Sequence, residues 1–234
     1  MFQIKTDSAW HGASDCRHCS IRGAALFGDL DEQDFRLLHV PIDDLLFSQG
    51  ATIYREASPA QGVFTLRSGL IKLVRVNSGG CQRIVRVLRP GDLAGLEVLA
   101  TPHYDCEAIA LTDVAVCRIP LATIHTLEVN SEHLHHRLTL KWQQSLKEAD
   151  DWLAELNFGP AKRRVCNLVL KMRSDNDRRL STLFSREDMG AMLDLKPETV
   201  SREMTLLVRE GAIEPLDKSK RVYRVLQPDY LQAV

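Results

Sequence analysis

Between residues 45 and 120 every apolar run is the length of a short strand, and turn formers interrupt the chain at intervals of about 8 to 12 residues. The runs are 51–54, 63–66, 70–76, 84–88 and 108–119. They are separated by Ser58-Pro59, Ser68-Gly69, residues 77–80 and Pro90-Gly91-Asp92. Glycine accepts positive φ and proline fixes φ, so these separators reverse the chain and exclude long helices. Short antiparallel strands at this spacing are expected to close into a jelly roll or small barrel, a β-roll that limits exposed edges.

The period then changes. Over 124–156 the residues Leu127, Leu134, Leu138, Trp142, Leu146, Ala149, Leu153 and Leu156 recur mostly every third or fourth position, with Glu, Lys and Asp between them. This predicts one long helix. Its stripe of Leu134, Leu138, Trp142, Leu146, Ala149 and Leu153 is expected to form the seam of a homodimer, the alternative being packing on the β-domain. Gly159-Pro160 breaks the helix. The expected division is 1–35, a Cys-containing segment and helix; 36–123, a β-roll sensor domain; 124–158, the dimerisation helix; and 159–234, a C-terminal domain.

The 234 residues are 44% hydrophobic and 26% charged, proportions that exclude a disordered or collagenous chain and suffice for two small cores. Apolar runs fall far short of the roughly 18 residues of a membrane span, and the start carries no secretory pattern, so a cytoplasmic protein with no membrane partner is expected. Residues 160–234 hold 15 Lys and Arg against 11 Asp and Glu; the remainder holds 15 against 20. A basic C-terminal third suits the phosphates of nucleic acid.

That third contains the segment 184–207. Ser185 and Asp188 resemble a capping box, Asp194 tolerates a left-handed turn, and Pro197 suits the first position of a second helix. The pattern predicts a helix-turn-helix, whose second helix enters the major groove of double-stranded DNA. Glu198, Ser201 and Arg202 share one face, and Val200, Met204 and Leu207 point to the core. Glu accepts from cytosine N4 and Arg forks onto guanine. Lys196 and Thr199 are grouped with them as DNA-binding residues. Residues 218–224 are expected to form a β-wing strand near phosphates.

The order β-roll, long helix, winged helix-turn-helix resembles the CRP/FNR transcription regulators. So do Arg67-Ser68-Gly69-Leu70-Ile71-Lys72, Pro90-Gly91-Asp92-Leu93 and Glu198-Thr199-Val200-Ser201-Arg202, the last being similar to the FNR branch. The resemblance implies an α+β fold: an N-terminal antiparallel β-roll like a cyclic-nucleotide-binding domain, a long dimerisation helix and a C-terminal winged helix-turn-helix domain. It implies a homodimer that reads a palindromic TTGAT-type site through Glu198, Ser201 and Arg202, with RNA polymerase as a further partner.

Cyclic-nucleotide members of that family carry an arginine in the segment matching 91–108. This chain has none there, so cAMP is not the expected ligand, although Glu97 remains as a ribose candidate. The FNR branch implies an oxygen-labile iron-sulfur cluster on four cysteines. Cys16, Cys19 and Cys117 match three of them, and Ala25 stands at the fourth position. Cys106 is a candidate fourth ligand if Thr112-Asp113 closes a hairpin that sets it diagonal to Cys117, and is otherwise read as a small buried hydrophobe; Asp15, His18 and His11 are the other candidates. Haem, or an organic ligand in the β-roll, is the other sensor consistent with the family. A cupin-like enzyme is not expected, because His103 is the one histidine between residues 45 and 120.

Overall fold

The computed structural model describes residues 21, 23–28, 30, 42–77, 79–80, 82–174, 177–219 and 221–234, and the backbone of 3–5. Cys16, Cys19, Cys81, Asp15, His11 and His18 lie outside the described residues, as does much of the helix expected before residue 36. Residues 23–28 form turns. The chain divides into two compact units, Met1–Val76 with Val85–Lys147, and Asn77–Ile84 with Glu148–Val234.

The strands of residues 1–120, among the described residues, are β1 (Gln3–Lys5), β2 (Asp43–Phe47), β3 (Thr52–Tyr54), β4 (Val63–Ser68), β5 (Ile71–Val76), β6 (Gln82–Leu88), β7 (Leu93–Ala94), β8 (Glu107–Ala110) and β9 (Val114–Ile119). One sheet has the order β1-β2-β9-β4-β7 and the other β3-β8-β5-β6. Val63, Leu66, Ile71, Ala108 and Val116, each at most 1% exposed, belong to one shared core. This is the expected β-roll.

The hairpin expected at Thr112-Asp113 does not form. β8 pairs with β3 and β5, placing Ala108 opposite Tyr54 and Leu73, whereas β9 lies between β2 and β4 with Cys117 opposite Asp44 and Thr65. The turn at 111–113 instead bonds the turn at 68–70. Leu111 N donates to Leu70 O (2.8 Å), and Leu70 N donates to the Thr112 hydroxyl (3.0 Å). Gly69 makes this possible. Its φ is +84°, and a Cβ there would stand 2.3 Å from Asp113 O. The two turns together carry the chain between sheets.

The helix expected over 124–156 is two helices, α1 (Leu121–Asn130) and α2 (Glu132–Leu156). Ser131 between them is extended, with φ −130° and ψ 112°, and its hydroxyl accepts from Leu134 N at 3.2 Å as an N-cap. Leu127, Leu134 and Leu138 are 0%, 0% and 5% exposed and belong to the β-roll core. For Leu134 and Leu138 the seam expectation is therefore corrected: their own chain already covers them. The exposed large apolar residues of α2 are Leu140, Trp142, Leu146 and Leu153.

The second unit contains α3 (Ala161–Lys171), β10 (Leu180–Thr182), α4 (Arg186–Leu193), α5 (Pro197–Arg209), β11 (Ile213–Pro215), β12 (Val222–Val225) and α6 (Pro228–Ala233). Val165, Leu168 and Val169 of α3, Met189 and Leu193 of α4, and Val200 and Leu207 of α5 are all fully buried. The strands form a sheet of order β10-β12-β11 beside the helices. No helix among the described residues is long and apolar enough to cross a membrane.

Candidate nucleic-acid interface

The turn between α4 and α5 is set by short-range chemistry. The Ser185 hydroxyl accepts from Asp188 N at 3.0 Å, Asp194 ends α4 at φ 55° and ψ 47°, and Pro197 opens α5. Gly190 lets the helices approach: a Cβ on it would lie 2.6 Å from Leu195 O. With Val200, Met204 and Leu207 buried, Glu198, Ser201 and Arg202 stand exposed on the opposite side, with exposed Lys196 before them and half-buried Thr199 beside them. That face can meet base edges with one carboxylate, one hydroxyl and one guanidinium.

Arg202 does not pair with Glu198, the i, i+4 arrangement open to it. Its guanidinium lies on Glu203, Nη2 at 3.3 Å and Nε at 3.4 Å from Oε1. In the sequence Glu203 is legible only as a carboxylate interrupting an apolar stripe, and the inward set read from spacing passes over it.

The wing differs from expectation at its start: residues 217–219 turn, and the strand begins at Val222. Asp217 Oδ1 accepts from Arg221 N (2.9 Å) and Val222 N (2.8 Å). With the Ser219 hydroxyl as the leading cause, these bonds hold the Asp217 carboxyl below its ordinary range. Lys218 and Arg224 are exposed and Arg221 half-buried. The wing strand is tied to α4 by Arg186, whose Nη2 donates to the buried Tyr223 hydroxyl at 2.8 Å.

The described sensor cysteines separate. Cys117 on β9 is half-buried, its Sγ 3.4 Å from Asp44 Oδ1, and Arg67 bonds the same carboxylate at 2.5 Å. Cys106, in the bend before β8, is 6% exposed in the β-roll core, its Sγ 4.0 Å from Glu97 Oε1. Burial, and then the Glu97 charge, pushes its thiol up to about 12. The two sheets thus keep Cys106 and Cys117 from sharing a face. Among the described residues no three His, Cys, Asp or Glu side chains gather as a metal site.

Glu97 is engaged inside its own loop, accepting from Asp105 N at 3.3 Å. Beside it Tyr54 stacks on Tyr104, centroids 3.9 Å apart, and the Tyr104 hydroxyl donates to Gly62 O at 2.8 Å. The loop that carries the ribose candidate Glu97 is thus packed, through Tyr104, against Tyr54 of β3.

Residues 45–128 match the cyclic nucleotide-binding domain, and residues 163–234 match the Crp-like helix-turn-helix domain. The chain belongs to the CRP/FNR family of transcription regulators. It is 28% identical over 220 residues to the transcriptional activator protein FnrA of Stutzerimonas stutzeri, covering 88% of each chain. It is also 28% identical over 200 residues to the cyclic AMP receptor protein of Thermus thermophilus, covering 82% of this chain and 89% of that one. The solved structure of FixK2 from Bradyrhizobium japonicum superposes with a TM-score of 0.74 at 24% identity, over 83% of this chain and 97% of that one. As a member of that family the protein is a transcription regulator with a DNA-binding helix-turn-helix domain, and not an enzyme.

Proposed function

We propose that this CRP/FNR regulator acts in the cytoplasm as a homodimer on a palindromic TTGAT-type operator, and that it responds to oxygen or redox state through a cysteine-ligated iron-sulfur site. The observation that carries the DNA reading is the face of α5, where Glu198, Ser201 and Arg202 are exposed together while the stripe behind them is buried. Lys196 and Thr199 at the helix start add backbone contacts, and RNA polymerase is the partner at the promoter. The exposed Trp142, Leu146 and Leu153 of α2, with Ala149 between them, form the self-association surface.

The sensor reading rests on Cys16, Cys19 and Cys117. Of the three, Cys117 is described: a half-buried thiol on β9 whose soft sulfur suits iron, 3.4 Å from the Asp44 carboxylate that Arg67 also bonds. When bound, an iron-sulfur cluster would supply the oxygen-sensitive chemistry. Cys106 does not fit, because its buried thiol resists ionisation and the strand it leads into, β8, lies in the other sheet. The stacked Tyr54 and Tyr104 leave haem or an organic ligand at that loop without support.

Two experiments test this reading. Anoxically purified protein should contain iron and sulfide in near-equal amounts, lost in Cys16→Ser, Cys19→Ser and Cys117→Ser and kept in Cys106→Ser. Iron-free anoxic protein, or stoichiometric haem, would refute the cluster. Arg202→Ala should lose about 1 to 3 kcal/mol of discrimination at one guanine per half-site. Undiminished discrimination would refute the assignment of that guanine to Arg202.

A further inference from the structure

The buried side of α5 runs Val200, Glu203, Met204, Leu207, the i, i+3, i+4, i+7 spacing of a core stripe. Three of these are apolar and the fourth is a carboxylate only 8% exposed. Taking a carboxylate out of water is costly unless it is bonded, so its partner matters. Among the described residues that partner is Arg202, the preceding residue, whose side chain is 72% exposed. Neighbouring residues on a helix diverge by about 100°, and do not normally face each other. The pair forms because the guanidinium folds back around the helix onto the buried oxygen.

We propose that Glu203 is the positioning residue that sets Arg202 for base reading, and is thereby a determinant of operator specificity; this rests on the DNA-binding reading above. Oε1 takes Nε and Nη2 along one edge of the guanidinium. Nη1 and the second hydrogen of Nη2 remain at the outer end of the fork, the pair of donors that meets guanine O6 and N7. A held arginine loses less rotamer freedom on binding, which favours the one base its fixed fork matches. The carboxylate brings negative charge toward the DNA, so it contributes selectivity rather than general affinity.

The test uses the full-length chain and fluorescein-labelled palindromic duplexes, one with TTGAT half-sites and others with each base replaced, at one salt concentration. Glu203→Leu is expected to lose about tenfold in discrimination at the guanine where Arg202→Ala also loses it, and to keep discrimination elsewhere. Its melting temperature should hold or rise, because a buried charge gives way to an apolar side chain. In an Arg202→Ala background, Glu203→Leu should add no further loss. Glu203→Gln, which keeps the acceptor without the charge, should lose less and decides the matter if the leucine variant fails to fold. Full discrimination in a folded Glu203 variant overturns the proposal alone. Absence of any base preference in the unaltered protein overturns the operator reading and this proposal with it.

Discussion

The ammonium of Lys141 in α2 donates to the main-chain carbonyl of Gly91 at 2.7 Å, with the lysine 8% exposed. Gly91 sits at φ +95° in the turn before β7, and a Cβ on it would stand 2.6 Å from the Ala24 Cβ. Arg137, one helical turn earlier on α2, donates to the carbonyls of Gly23 and Ala25. Two cations at i and i+4 therefore bond the carbonyls of two turns that touch each other. Through them the turn that follows the cysteine-containing segment and the β-roll turn are both fixed to the helix that carries the exposed leucines.

Lys141→Met is expected to destabilise the protein by about 1 to 3 kcal/mol, because the apolar stem is kept while the Gly91 carbonyl loses its charged donor. Burial already raises the Asp92 carboxyl, and Lys141 is among the charges opposing that rise, so the variant should lift it further. Urea unfolding of both proteins measures the first effect. A midpoint unchanged at equal m would show that the bond contributes nothing net.

The two halves of the α2 stripe should respond differently. Leu138→Ala opens a cavity in the β-roll core and should cost about 2 to 5 kcal/mol of stability. Leu146→Asp, at a position 65% exposed, should leave unfolding nearly unaltered and weaken self-association and palindrome binding together. Sedimentation and thermal melting on both variants separate the effects. A Leu146→Asp protein that sediments as the unaltered one does would remove this residue from the dimer surface.

What is legible in the sequence is what local chemistry decides. Ser185, Asp194 and Pro197 each act on a neighbouring backbone group, so the helix-turn-helix can be read without tertiary information, as can the strands between their Gly and Pro turns. Alternation along β8 and β9 tells which residues share a face but not which sheet a strand joins. Sequence reasoning therefore sets Cys106 and Cys117 together on a hairpin that the Gly69 turn replaces. Helical spacing likewise marks Leu134 and Leu138 as buried without naming what buries them. The Arg202 to Glu203 pair breaks the rule that adjacent helix residues diverge, and no spacing argument finds it.

Tyr223→Phe should weaken DNA binding without altering base preference. The variant removes the hydroxyl that accepts from Arg186 and leaves the buried ring in place, so the wing loses one tie to α4 while its sheet remains. Affinity for operator and base-substituted duplexes should fall by the same factor. The slope of log affinity against log salt should become shallower by about one for each phosphate that the wing no longer neutralises. A change in discrimination, with the slope unchanged, would place Tyr223 in base reading instead.

Cys106 should make the protein lose stability in alkali. Its folded thiol is pushed up to about 12 by burial and then by the Glu97 charge, whereas an unfolded cysteine ionises near 8.5. Between those values the folded state holds a proton that the unfolded state has released. Folding is therefore opposed as the pH rises past about 8.5, by up to about 1.4 kcal/mol per pH unit. Below that value both states are protonated and the group adds no pH dependence. Urea unfolding under reductant at pH 8, 9 and 10 should show a steeper decline for the unaltered protein than for Cys106→Ala, although the alanine variant starts lower for having lost a core sulfur. Parallel declines would mean that the thiol ionises in the folded protein as readily as in water, and that it is open to solvent.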